Sequence, residues 1–390
     1  MNKAWTARLA GLIVGVHLGC ADLVAAEEKN GAVASGYYEA PGISLLSNNG
    51  KGWDLSDAIL GEDAAIDFGG WVEFGYNTDA DGLFNKHPHS DEFQNHQSWL
   101  YVEKKADGSK GFDWGGRIDA MYGVDGPDTQ SFGNRDGKFD FSDAFNHGRY
   151  GFAIPQVYAE VAYKDLAVKA GHFYTLLGYE VVPAPNNFFF SHAFTMYLSE
   201  AFTHTGVLAT YTGIKDLTLY GGWTAGWDTG FDQLDGGSNF LGGASYKPIE
   251  EVTATYILTA GKLGWVGTGY THSIVIDTTP IPRLKYVLQS DFVSVEQDGS
   301  NYGTIGINQY LIYQIIDEIG VGTRIEWWKG GGTSYYEVTG GVNLKPLPNL
   351  VIRPEGRYQW SPGADDGGAN PAGLPVDDNV MFGIDMIITF

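Results

Sequence analysis

Arg353, Glu355 and Arg357 stand at alternate positions, and on an extended strand residues at i, i+2 and i+4 share one face. The same alternation, with apolar neighbours on the other face, marks Glu73, Arg117, Asp119, Glu160, Lys169, Arg324, Glu326, Glu337 and Asp385. Mixed charges on one face of a sheet can order water and bias ion passage along it. They can equally pair across neighbouring strands and staple the wall. Either role is electrostatic. No G-x-S-x-G elbow, Walker-type phosphate loop or H-E-x-x-H occurs, so nothing points to an enzyme. His192 and His204 are the first residues to test for a rim hydrolase. His87, His89 and His96 with Asp91 are metal candidates by type, but their spacing matches no standard site, and no cofactor is indicated.

A second feature is the stretch from Leu176 to Thr203, apolar and aromatic where a connection is usually hydrophilic. Tyr179, Glu180, Phe188, Phe189, Phe190 and His192 are its candidate constriction or interface residues. An apolar patch of that size marks an interface. Folding inward as a constriction and packing on a neighbouring subunit are the favoured readings, with capping of its own rim as the alternative.

The elements that must carry these residues are strands. Glycine stands at 55 of 390 residues, aromatics at 14% and charged residues at 18%, a mixture that suits many short strands better than helices. From residue 64 about sixteen segments of strand length follow. They centre on Trp71, Tyr101, Ile118, Tyr158, Ala170, Ala209, Gly221, Ala244, Tyr256, Gly269, Phe292, Gln309, Ile325, Val338, Glu355 and Asp385.

Long gaps and tight ones separate these segments in a regular way. The long gaps, Thr78 to Phe93, Val124 to Gly151, Leu176 to Thr203, Asp228 to Gly237 and Trp360 to Asp378, all follow odd-numbered segments. Tight turns are expected at Lys164-Asp165, Ile214 to Asp216, Lys247 to Glu250 and Lys345 to Pro348, after even-numbered ones. Short turns on one side and long loops on the other fit an all-β fold: a transmembrane antiparallel up-and-down barrel of about sixteen strands, within roughly 14–18. A secreted sandwich is the competing architecture. In the last segment Phe382, Ile384, Met386, Ile388 and Phe390 share one apolar face, Gly383, Asp385 and Thr389 take the other, and Ile387 breaks the pattern.

The chain opens like an export signal. Lys3 and Arg8 precede an apolar core from Leu9 to Leu18, and Val24-Ala25-Ala26 offers a cleavage site. The expected division is 1–26 signal peptide, 27–63 periplasmic extension or partial plug with Trp53, Leu55, Ile59 and Leu60 on a short helix, and 64–390 barrel. A lipoprotein reading of Leu18-Gly19-Cys20 competes, with His17 at a position where leucine is preferred. A net charge of −23 argues against nucleic acid as a partner, since phosphate binding needs clustered lysine and arginine.

From Gly70 to Phe390 the chain resembles the β-barrel porin-2, OmpL-like family of outer-membrane proteins. The resemblance is densest in GFAIPQVYAEVAYKDLAVKAGHFYTLLGYEVVPAPNNFFFSHAFTMY at 151–197, EAFTHTGVLATYT at 200–212 and LTLYGGWTAGWD at 217–228, and YVLQSDF at 286–292 also fits. It implies a porin and carries no set of functional residues. The terminal Phe390 resembles the signal read by the outer-membrane assembly machinery. The other implied partners are outer-membrane lipid and lipopolysaccharide, small hydrophilic solutes and ions, and copies of the chain in a homo-oligomer such as a trimer.

The expected function is a water-filled pore for passive diffusion, exported to the bacterial outer membrane. Acids in the long gaps, among them Asp79, Asp81, Asp125, Asp128, Asp232, Asp235, Asp365 and Asp366, far outnumber Lys86, Arg135, Lys138 and Arg149, which favours cations weakly. A substrate-selective channel, a plugged structural or adhesive barrel and a rim enzyme are the alternatives.

Overall fold

Successive side chains of a pleated strand leave on opposite faces, so an alternating sequence makes a sheet with two chemically distinct sides. The computed structural model describes residues 52–61, 64–78, 91–142, 146–232, 236–365 and 378–390. Its strands are β1 (Asp67–Asn77), β2 (Gln94–Lys104), β3 (Phe112–Gly123), β4 (Gly151–Ala153), β5 (Val157–Tyr163), β6 (Leu166–Tyr174), β7 (Thr203–Ile214), β8 (Leu217–Thr224) and β9 (Ser238–Ile249). There follow β10 (Val252–Lys262), β11 (Thr268–Ile281), β12 (Leu284–Gln297), β13 (Ser300–Ile316), β14 (Ile319–Gly330), β15 (Thr333–Leu347), β16 (Leu350–Trp360) and β17 (Asn379–Thr389).

Neighbours in sequence pair antiparallel, and β1 pairs with both β2 and β17, which closes the sheet. β4 and β5 both pair with β3 and form one wall position interrupted at Ile154–Gln156, so the wall is a closed barrel of sixteen strands. All the expected strand centres lie in it. Closure is completed by Phe390, whose N–H donates to Gly70 O and whose carbonyl accepts from Gly70 N–H, each at 2.9 Å.

The barrel is inside-out relative to a soluble sandwich. Leu100, Trp114, Ile118, Trp223, Ile325, Phe382 and Ile384 are exposed on the outer face, while Gln289, Asp291, Asn308, Arg324 and Glu326 are buried on the inner one. That is the pattern of a membrane barrel. No helix of the described residues is long and apolar enough to cross a membrane.

Two-residue turns at Lys164-Asp165, Lys215-Asp216, Glu250-Glu251, Pro282-Arg283, Asp317-Glu318 and Pro348-Asn349 lie at the end where β1 starts and β17 finishes. At the other end β1, β3, β6, β8 and β16 finish, each before a longer connection. At that end Asp298-Gly299 and Gly331-Gly332 make the tightest hairpins, all four residues having positive φ, as a type I′ turn requires.

Two turns differ from expectation. β9 and β15 run on through Lys247–Ile249 and Lys345–Leu347 because the N–H groups of Lys247 and Lys345 continue the ladder, donating to Asp216 O and Glu318 O. Pro248 and Pro346 sit beside register shifts, where a missing donor is tolerated.

A short helix, Leu55–Leu60, forms before the barrel and holds Leu55, Ile59 and Leu60 but not Trp53, which precedes the cap residue Asp54, whose side chain accepts from Asp57 N–H. Trp53 N–H donates to Asn349 Oδ1 at 2.7 Å and Asn349 Nδ2 donates to Trp53 O at 2.8 Å. Residues 52–61 therefore dock on a turn at the short-turn rim. Residues 27–51, 62 and 63, the signal peptide and Cys20 lie outside the described residues.

Candidate functional site

The apolar connection between β6 and β7, residues 175–202, folds into the barrel. Its aromatic side chains need apolar surroundings, and an inner wall otherwise lined by polar groups supplies them at a few places. Phe188 joins Tyr179, Val275, Val287, Tyr310 and Ile312 in a buried cluster. Val182, Ala184 and Met196 pack with Trp71, Trp99 and Ile387. This explains why Ile387 breaks the alternation of the last strand: the inward segment covers it. Wall glycines make the approach possible. A Cβ on Gly322 would lie 2.5 Å from the Phe188 ring, and one on Gly75 would lie 2.6 Å from Phe190.

The segment's backbone must also be satisfied inside the barrel, and charged wall residues do this. Glu355 accepts the N–H groups of Phe190 at 2.7 Å and Ser191 at 3.2 Å. Glu326 accepts those of Phe194 at 2.7 Å and Thr195 at 2.8 Å. Arg353 donates to Ala184 O and Asn187 O, Arg357 to His192 O, and Arg324 to Ser191 O. Behind them Arg353 pairs with Asp385 and Glu73, and Arg324 with Glu337 and Glu180. The 353–357 ladder and its neighbours thus lie on the inner face and grip the segment. Tyr179, Glu180, Phe188, Phe189, Phe190 and His192 all lie within the barrel.

Burial raises the Glu180 carboxyl, but Arg324, His192 and the N–H of Ala193 overcome that and hold it down at about 2.

The remaining charged candidates sit apart, on β3, β5 and β6. Arg117 donates to Asp119 at 2.6 Å and to Glu103 at 3.2 Å, with its guanidinium 4.4 Å from the Tyr101 ring centre. Lys169 stands opposite Glu160 in the β5–β6 register, its Nζ 5.2 Å from the Tyr158 ring and 5.4 Å from Phe173. Arg117, Gln156, Lys169 and Tyr174 face the segment's Thr175–Gly178, Val181, Pro183 and Asn186 across an open recess of about 110 Å³. A second, much smaller recess, about 20 Å³, lies among Gln97, Asp125, Asp128, Val182, His192 and Tyr197. Val181 and Pro183 line the first and Val182 the second, so these three residues part the two.

Several acids expected at the mouth have structural partners instead. Asp125 accepts from Gln97 Nε2 at 2.9 Å, and Asp228 caps the N–H groups of Phe202 and Thr203. Asp140 accepts from Ser131 and Ile154 N–H, and burial pushes its carboxyl up to about 6 against those bonds. Asp128 is buried. Asp79, Asp81, Asp235, Asp366 and Lys86 lie outside the described residues, as do His87 and His89. His96 contacts Asp125, and Asp91 accepts from Tyr76. No group of three or more His, Cys, Asp or Glu is placed to hold a metal among the described residues. His204 holds Thr175 and Gly226 O, and His192 lies 3.4 Å from Glu180.

Sequence reasoning missed Gln97, Glu103, Asn187 and Gln289. Gln97 donates to Val182 O and accepts from Ala184 N–H, while Asn187 brackets Val181 through both its N–H and its carbonyl. Glu103 was recoverable, since it stands directly across from Arg117 in register. The amides carry no charge signal and could not be singled out by type.

The family described as "Putative beta-barrel porin-2, OmpL-like" matches residues 65–390. No curated protein matches. Among solved structures the chain is similar to the trimer form of OmpT from Vibrio cholerae, with 13% identity, TM-score 0.53, and coverage of 83% of this chain and 99% of that one. It is similar also to an anion-selective porin from Comamonas acidovorans, at 12% identity and TM-score 0.55, covering 83% and 99%. A Rh. blastica porin mutant gives 13% identity and TM-score 0.54, covering 83% and 100%. At such identities the likeness is one of fold.

Proposed function

We propose, from the premise that this chain belongs to the OmpL-like β-barrel porin-2 family and is an outer-membrane porin, that it forms a water-filled channel for passive diffusion of small hydrophilic solutes and ions. The observation that carries this reading is the inward segment 175–202. Sixteen strands enclose a lumen wide enough for water, and the segment narrows it to recesses edged by Arg117 and Lys169 on one side and Asp125 and Asp128 on the other. On the same reading the inner-face charges line or support the path, and the acid-rich loop end lends a weak preference for cations. Residues 1–26 are removed on export, 27–63 remain periplasmic, and barrels associate as homotrimers.

One feature favours a second reading, a substrate-selective channel. The larger recess sets Leu176, Leu177, Val181 and Pro183 against its charged wall, which suits a solute with both an apolar and a polar face.

Planar-bilayer recording of the mature protein tests both. Stepwise conductance with a small cation-selective reversal potential is expected, and block by an amphipathic solute would move the reading to the second. Absence of conductance would overturn the channel.

A further inference from the structure

Glu200 follows the short helix Phe194–Ser199 of the inward segment, and Asp291 faces it from β12. Both are buried, Asp291 with 0% exposure. One amide nitrogen serves them together: Gln289 Nε2 donates to Glu200 Oε1 at 2.6 Å and to Asp291 Oδ1 at 3.0 Å. Ser273 Oγ donates to the same Asp291 oxygen at 2.7 Å. Asp291 Oδ2 is buried and no N–H or hydroxyl donor reaches it, so the two carboxyl groups converge on a single amide donor. Two buried carboxylates brought together in this way resist ionising together, whereas one shared proton satisfies both.

Among the described residues no lysine, arginine or histidine forms an ion pair with either group. The other titratable groups acting on Glu200 are Glu180 of the segment and Tyr310 of β13, and Arg324 is engaged by Glu180 and Glu337. The same wall side chains hold the segment's other end: Gly178 N–H donates to Ser273 Oγ and Tyr179 N–H to Gln289 Oε1, each at 3.2 Å. A Cβ on Gly178 would lie 2.0 Å from Glu200 Oε2, so the two ends meet at this pair.

We infer that one proton held between Glu200 and Asp291 latches both ends of the inward segment to β11 and β12, and that its loss as pH rises loosens the segment's hold in the lumen. This rests on the segment being the element that narrows the channel. Burial, with Asp291 beside it, pushes the Glu200 carboxyl well above the usual carboxylate range. A raised carboxyl contributes stability that is complete below its ordinary value and lost as pH rises through the raised one.

The test is heat-induced unfolding of the folded full-length barrel in detergent from pH 5 to pH 10, for the wild type, Glu200→Gln and Asp291→Asn. The wild-type midpoint should fall by several degrees toward alkaline pH. Glu200→Gln should stay nearly flat, because its amide donates to Asp291 at every pH, and Asp291→Asn keeps the test alive if the first variant does not fold. A flat wild-type profile, or parallel decline in wild type and variants, overturns the latch. In bilayers, current fluctuations should grow with pH in the wild type alone. A barrel that does not conduct would defeat the channel reading but leave the unfolding result to decide the latch.

Discussion

Arg324 on β14 donates from Nη1 to Glu180 Oε1 at 2.6 Å, joining the wall to the inward segment at a point where both side chains are buried. The same guanidinium donates to Glu337 at 2.7 Å and to Ser191 O at 2.8 Å. Removing one member of a buried, multiply bonded charge set leaves the others uncompensated, at a cost of about 3–5 kcal/mol. Arg324→Met should therefore release the segment and lower the unfolding midpoint. Single-channel conductance should rise or become noisy, and unchanged conductance with an unchanged midpoint would remove this pair from the holding machinery.

The pH dependence of that contact runs opposite to the Glu200 latch. Glu180 is held at about 2 against an ordinary value of 4.5, so its contribution is complete above the ordinary value and lost as pH falls through about 2. Wild-type stability should drop between pH 4.5 and 2, and Glu180→Gln should be less stable at neutral pH but lose less over that window. Midpoints measured in acid for both proteins check the sign.

Gly322 faces the Phe188 ring so closely that any side chain must displace it. Gly322→Val should leave the barrel able to form, seen as a heat-dependent shift in electrophoretic mobility, because a closed sheet has no edge from which detergent can unzip it. The displaced segment should change the conductance. Normal conductance in a folded variant would show that Phe188 is not needed to place the segment.

Phe390 is tied to Gly70 through two backbone hydrogen bonds at the closing seam. Deleting it removes both, and Phe390→Asp puts a charge where lipid or its interface is expected. Both variants should give less folded protein in the outer membrane, and normal insertion of both would show that the seam and its terminal aromatic are dispensable for assembly.

Lys169→Gln should shift the reversal potential toward cations, since the recess loses a positive group while Glu160 stays opposite. The shift should be smaller at 1 M salt than at 0.1 M, where the Debye length is about 3 Å rather than about 10 Å. An unaltered reversal potential at low salt would take Lys169 off the ion path.

What the sequence determined by itself was local. The two-residue period of a strand is a property of the backbone pleat, so Arg353, Glu355, Arg357 and Asp385 could be assigned to the inner face without knowing any neighbour. The apolar run from Phe188 to Phe194 was visible as an anomaly for a loop. Where it went was not, because covering Ile387, filling the space above Gly322 and bringing Glu326 to the N–H groups of Phe194 and Thr195 all depend on contacts more than a hundred residues apart. Those contacts also decide that the wall charges meet backbone as well as water, which alternation alone cannot distinguish. Likewise Gln97 and Gln289, neutral and unremarkable in sequence, acquire their roles only when closure of the barrel places the segment against them. Periodicity tells which way a side chain points, and only the closed tertiary structure supplies what it points at.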